Sequence, residues 1–223
     1  MYIRFLPQSA LTLVAVSAIA IALVGRPVAT RKMNKPSIQS MGNMKMGPMP
    51  AHIQPAGRLV SSQVAMRMIA SADHEGKVVR HGRRKILVFK GKSARISFIA
   101  VQPGFPDQTF ELHKLVDPTI SVHAGARVKV LLLNMDYGPG MYHGLVIGKS
   151  APPYHMMVSI PVKHQLMLMP LIAPRSAKSI RRAKYYVERT SFTAPETPGI
   201  YYYICQMPMH AKAGMYGRFI VRK

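Results

Sequence analysis

The chain has 223 residues, of which 48% are hydrophobic, with one cysteine, no tryptophan, and 31 Lys and Arg against 8 Asp and Glu, a formal charge of +23. At about 150 residues per domain this is one sizeable domain with extensions, and a single cysteine excludes an internal disulfide framework. Nucleic-acid binding would concentrate the basic residues on one element between stacking aromatics. Here they are spread out, the densest runs being HGRRK (81–85) and KSIRRAK (178–184), neither in a nucleic-acid-binding motif, so no nucleic acid is expected as a partner. The scarcity of carboxylates fits an acidic compartment, because little native stability then depends on keeping them ionised.

The N-terminus carries Arg4 and then an apolar run from Ala10 to Val24. That length suits a signal-peptide core, and counted from Phe5 it approaches the roughly 20 residues of a membrane span. Residues 1–25 are therefore expected to export the chain, as a cleaved signal or as a retained membrane attachment through residues 5–24. Ala20-Ile21-Ala22 is a small-x-small site, but it lies inside the apolar run. Arg26, Arg31, Lys32 and Lys35 follow the run against Arg4 alone before it, a balance that by the positive-inside rule argues for the opposite orientation. Residues 26–58, rich in Met, Pro and Gly, read as a linker. Within it Met41, Met44, Met46 and Met49 lie close to His52, either a soft-ligand Cu(I) site or a plain tether.

From residue 59 a folded domain is expected to run to residue 223. SSQVAMRMIASA (61–72) has Val64, Ala65, Met68 and Ile69 at helical spacing, with Ser61 or Ser62 as N-cap. The pattern then turns to strands. KILVFKGKSARISFIAV (85–101) predicts a hairpin turning at Lys90-Gly91-Lys92. Further strands are expected in TFELH (109–113), TISVHAGARVKVLLLNM (119–135), GLVIG (144–148), KYYVERTSFTA (184–194), GIYYYIC (199–205) and GRFIVRK (217–223), with the stretch after Pro152-Pro153 rich in loops. Many short strands, turn punctuation and one helix predict an all-β sandwich.

The chemistry concentrates in YYYICQMPMHAKAGMYGRFIV (201–221), where Cys205 is followed by His210 and Met215. One thiolate, two imidazoles and a distant thioether are the donor set of a mononuclear type 1 copper ion. Cys205 would end one strand and Met215 precede the last, so one loop supplies three ligands. The fourth is assigned to His143, in GPGMYHGLVIG, where a Gly/Pro-rich loop enters a strand. His52, His74, His81, His113, His123, His155 and His164 have no such setting and are expected to be solvated or hydrogen-bonded.

These residues resemble the cupredoxins, over roughly residues 61 to 223. The resemblance rests on GIYYYICQMPMHAKAGMYGRFIVRK, on VQPGFP (101–106) followed by TFELH, and on GKSAPPY (148–154) just after His143. It is to a branch with a Cys-x4-His-x4-Met copper loop, and implies a Greek-key β-sandwich carrying single electrons outside the cytoplasm of an acid-dwelling iron oxidiser. A c-type cytochrome or other redox protein would be the partner of a monomer, docking on an apolar patch of Met207, Pro208, Met209, Ala211, Pro139 and Met141 with the basic loop 175–184 steering it. Two positions depart from that branch: Gly144, where it carries serine, and Met209, where it carries glycine. A multicopper enzyme would need His-x-His pairs and more domains, and the chain has neither. A copper chaperone or storage module using the Met-rich segment is the alternative.

Overall fold

Alternation along one inner strand sets the architecture. In Ser93–Ala100 the side chains of Ala94, Ile96, Phe98 and Ala100 join one buried cluster, while Arg95 points to solvent. The computed structural model describes residues 56–82, 84–158 and 160–223. Among these, the chain forms β1 (Arg58–Ser61), α1 (Ser62–Ala72), β2 (Lys77–His81), β3 (Arg84–Val88), β4 (Ser93–Ala100), β5 (Phe110–Leu112) and β6 (Leu115–Val116). It continues through β7 (Thr119–His123), β8 (Arg127–Asn134), β9 (His143–Gly148), β10 (Gln165–Ile172), β11 (Lys184–Thr193), β12 (Gly199–Cys205), α2 (His210–Ala213) and β13 (Tyr216–Arg222).

The strands form two sheets, ordered β1-β11-β8-β4-β5-β6 and β10-β9-β12-β13-β7-β3-β2. Three pairings are parallel, β4 with β8, β7 with β13 and β3 with β7. The chain changes sheet between β1 and β2, β3 and β4, β6 and β7, β7 and β8, β8 and β9, β10 and β11, and β11 and β12, so each half of the core is built from distant segments, as in a β-sandwich. Between the sheets Phe98, Phe110 and Tyr203 meet edge to face with centroids 5.0 to 6.1 Å apart. The Tyr203 hydroxyl, fully buried, donates to Pro118 O at 2.7 Å.

The predicted helix is α1. Its N-cap is Ser61, whose Oγ accepts the Val64 N–H, and its Ala65 packs with Val60, Ile99, Leu133, Tyr185 and Val187 on the outer face of the six-stranded sheet. The predicted hairpin is not formed. β3 pairs with β2 and β7, whereas β4 pairs with β8 and β5 in the other sheet. Both runs bury apolar residues in one shared core from opposite sides, and the Phe89 N–H goes to Ser121 O at 2.8 Å instead of to β4. The stretch after Pro152-Pro153 also departs from expectation, since it contains β10. Leu and Met, neither of them β-branched, and the N–H-less Pro170 disguise this strand, and it tolerates them because it is an edge strand with register shifts.

Among the described residues no helix is long and apolar enough to cross a membrane. The apolar run 5–24 and the Met41, Met44, Met46, Met49 and His52 cluster lie outside the described residues.

Candidate metal centre

Cys205 is the last residue of β12, held between β13 and β9 by pairing of Ile204 with Tyr216 and of Cys205 with Leu145. The chain then turns through 206–209 into the single helical turn α2, which begins at His210, and re-enters the sheet after Met215. Two backbone bonds close this loop: Cys205 N–H to Met215 O at 3.1 Å and Met215 N–H to His210 O at 2.9 Å. His143 begins β9, the strand beside β12. The topology thereby brings together side chains 62 residues apart in sequence.

Cys205 Sγ lies 3.6 Å from His143 Nδ1 and 3.6 Å from His210 Nδ1. The three donor atoms are all within 4.8 Å of one another, and the residues are 0%, 0% and 7% exposed for Cys205, His143 and His210. An ion bonded at about 2.0–2.3 Å to nitrogen and sulfur, in a trigonal plane, requires an S···N separation of about 3.7 Å. The site thus matches a metal-bound geometry, and one thiolate with two imidazoles is the soft, trigonal set suited to type 1 copper. Met215, fully buried, belongs to the same core cluster as Cys205. Among the described residues no other histidine joins the cluster: His113 Nδ1 is hydrogen-bonded to Glu75 O at 3.0 Å, and His155 and His164 are exposed.

The electrostatics favour a bound cation. Burial raises the pKa of the Cys205 thiol, but the bonds and charges of His143 and His210 outweigh it and bring it down to about 6. Burial likewise opposes a charged His143, yet Asp136 and Cys205 prevail and lift it to about 9. Asp136 Oδ2 sits 2.9 Å from His143 Nε2, fixing the ring so that Nδ1 faces the sulfur. Asp136 is in turn positioned by buried Asn134, whose Oδ1 accepts the Asp136 N–H at 2.9 Å while its Nδ2 donates to Met141 O and Ile172 O.

Asp136 and Asn134 were not among the predicted site residues. The only sequence signal was their position in NMDYGPGMYH, just ahead of the histidine. Gln206 is a third. Its Nε2 donates to Met169 O at 2.6 Å, and a Cβ placed on Gly144 would stand 3.1 Å from that nitrogen and 3.0 Å from Leu171 Cδ2. Gln206, Leu171 and the Met169 carbonyl would have to give by a few tenths of an ångström to admit a side chain at Gly144. Met209 has φ 72 and ψ −28, the left-handed region that favours glycine. Of the predicted apolar patch, Met207 and Ala211 are buried, because both face inward from the loop, whereas Met141 is 40% exposed.

The sandwich and the buried Cys205, His143 and His210 set define a cupredoxin of the type 1 blue copper class, which carries electrons and does not catalyse a reaction. Comparison with known proteins agrees. The chain is 36% identical over 136 residues to the rusticyanin of Acidithiobacillus ferridurans, an alignment covering 61% of this chain and 67% of that protein. It is 35% identical over 136 residues to a rusticyanin of Acidithiobacillus ferrooxidans, covering 81% of the latter. The structure superposes on that of rusticyanin from Thiobacillus ferrooxidans with a TM-score of 0.61 and 25% identity, over 77% of this chain and all of the other. On reduced rusticyanin the TM-score is 0.59 with 28% identity, over 75% of this chain. No protein-family model matches. The chain belongs to the rusticyanin family.

Proposed function

We propose that this protein passes single electrons between redox proteins outside the cytoplasm, in an iron-oxidising type of respiratory chain, with the copper ion held by Cys205, His143, His210 and Met215. The observation that carries this reading is the convergence of Cys205 Sγ and two Nδ1 atoms, each 3.6 Å from the sulfur, in a buried pocket. When bound, copper supplies a one-electron couple whose colour and potential depend on the thiolate bond and on the weak axial thioether. The chain's part is to hold the donors still. β9 and β12 fix His143 and Cys205, the closed loop fixes His210 and Met215, and Asp136 keeps His143 from rotating. A rigid, dry cage of this kind changes little between oxidation states, which keeps the cost of reorganisation low.

The partner we assign is a c-type cytochrome or another redox protein. Exposed apolar side chains lie on the segments that lead to the donors: Tyr137 and Met141 ahead of His143 and, tied to the copper loop by the Met209 N–H to Met156 O bond of 2.7 Å, Met156 with its neighbour Met157. They support docking there in place of the buried Met207 and Ala211. Export through residues 1–25, as signal or anchor, completes the proposal and is supported by the family and the apolar run.

The test is a visible spectrum of the copper-loaded chain beside a Cys205→Ser variant. An intense thiolate-to-copper band, lost in the variant and bleached by ferrous iron, is the expected result. A folded protein without the band would reject the centre, and a band that persists with ferrous iron would reject the iron-oxidising role alone.

A further inference from the structure

Far from the metal donors, the outer face of the six-stranded sheet has a gradient along its strands. Its cross-strand rows begin under α1 with Ile99, Leu133 and Val187, all buried, and proceed to Ser97, Leu131 and Arg189, then to Arg95, Lys129 and Ser191. Where the helix ends, the apolar cover stops and a cavity of about 680 Å³ opens. Met68 and Ser71 of α1 form one wall, Leu131 is on the floor, and Arg95, Lys129 and Arg189 line it from three neighbouring strands. Its size is that of sites that enclose small ligands.

The charges here are out of balance. Arg95 and Lys129 are direct cross-strand partners, about 5 Å apart at the backbone, and Arg189 is one row away on the next strand. Like charges so placed repel. Among the described residues no carboxylate stands within ion-pair distance of any of the three, since the only close pairs are Lys114 with Asp73 and His143 with Asp136. Residues 1–55 contain no Asp or Glu. Glu75, the one acid lining the cavity, already accepts a hydrogen bond from Ser97 Oγ at 3.0 Å, and its burial disfavours the charged form more than Ser97 and the nearby Arg95 charge favour it. Hydroxyls of Ser71, Thr190 and Ser191 add donors around the same space.

We propose that this cavity binds a phosphate-bearing anion, with Arg95, Lys129 and Arg189 neutralising it and the neighbouring hydroxyls completing its hydrogen bonds. Two guanidinium forks and an ammonium match an oxyanion with several oxygens and at least two charges better than a carboxylate with two oxygens. Free oligophosphate and a lipid phosphate headgroup share this chemistry. Because the site lies on the opposite sheet from Cys205, His143 and His210, occupancy leaves the metal centre untouched.

The experiment is calorimetric titration of the copper-loaded full chain with pyrophosphate at about 0.15 M salt, an ionic strength that screens unspecific attraction beyond about 8 Å. A parallel arm uses phosphatidylcholine vesicles with and without phosphatidylglycerol. The comparison variants are Arg95→Gln/Lys129→Gln/Arg189→Gln and, as a charge-matched control on the other sheet, Arg80→Gln/Arg84→Gln/Lys85→Gln, both checked for folding by circular dichroism. Saturable one-to-one binding that weakens at least tenfold in the first variant and is unchanged in the second is expected. Tightest binding to pyrophosphate would identify a free anion, and tightest binding to the phosphatidylglycerol vesicles a headgroup. An equal loss in both variants would reduce the effect to net charge and overturn the proposal. So would the absence of saturation with both pyrophosphate and the phosphatidylglycerol vesicles.

Discussion

Asp136 illustrates how a single carboxylate can govern a metal centre it does not touch. Its 2.9 Å bond to His143 Nε2 both orients the ring and makes Nδ1 a better donor. In Asp136→Asn the bond is weakened and the negative charge is lost. Cu(II) affinity is expected to fall about 10–100-fold, measured by competition with a chelator of known strength, and an unchanged affinity would show that the loop alone positions His143. Met209 is the opposite case, a residue that costs stability where it stands. A left-handed conformation costs a side-chain-bearing residue about 1–2 kcal/mol, offset in part because glycine loses about 0.5–1 kcal/mol of chain entropy. Met209→Gly is expected to stabilise the fold by up to about 1 kcal/mol, read from denaturant unfolding. Neither role was legible in the sequence. The sequence marked Met209 as unusual only through the cupredoxin resemblance, and it placed Asp136 shortly ahead of His143 without showing that the two would meet across their loop.

At the scale of elements, the site is an outgrowth of one antiparallel pair. β12 and β13 pair from Gly199 with Val221 to Ile204 with Tyr216, and the end of β12 together with the loop that follows carries three of the proposed ligands. Tyr203 lies opposite Gly217 in this pair, and a Cβ at Gly217 would collide with the Tyr203 ring and hydroxyl. The ring cannot yield easily, because it is packed against Phe98 and Phe110 and bonded to Pro118 O. Gly217→Ala should therefore destabilise the protein by about 1–3 kcal/mol. It should also shift the thiolate-to-copper band, since Tyr203 is two residues from Cys205. Loss of stability with an unshifted band would mean the loop is mechanically insulated from the pair. The strand–loop–strand pattern was readable because β-branched and aromatic runs flank a turn-rich segment. β10 was not, because an edge strand makes few demands on its residues.

Over the whole molecule, eight carboxylates must serve a chain of +23, and three of them are raised rather than lowered by folding. Burial pushes Glu111 to about 7, against the opposing Lys114 N–H bond, and Asp117 to about 8, against the Phe110 N–H bond. Burial also raises Glu75. Glu111 is 1% exposed and its Oε2 has no hydrogen-bond partner, as suits a neutral acid. The sign follows by linkage: these groups keep their protons in the folded chain at pH values where the unfolded chain has lost them. For Glu111 and Asp117 the contribution is complete below about pH 4, the unfolded range, and is lost as pH rises through 7 to 8. Stability is thus expected to decline from pH 4 to pH 8, and the decline should flatten in Glu111→Gln/Asp117→Asn. The difference between the denaturation midpoints of the parent and this variant reports the two carboxyls together with the charge coupling of Asp117 to Cys205. A parallel pH dependence in both would contradict the assignment.

The sequence by itself determined the class of the domain and pointed to its candidate donors. Strand periodicity is local, and a lone cysteine, a histidine and a methionine at fixed intervals in one loop need no tertiary contact to be noticed. His143 could be proposed from its Gly/Pro-rich approach, but only the pairing of β9 with β12 set its Nδ1 3.6 Å from the sulfur. Tertiary structure alone decided the separation of β3 and β4 into two sheets, the Asp136 support, the close approach of Gln206 to Gly144, and the row of cations beneath the end of α1. Each depends on which face or neighbour a residue meets, and in a sandwich whose chain keeps changing sheets those neighbours are remote in sequence.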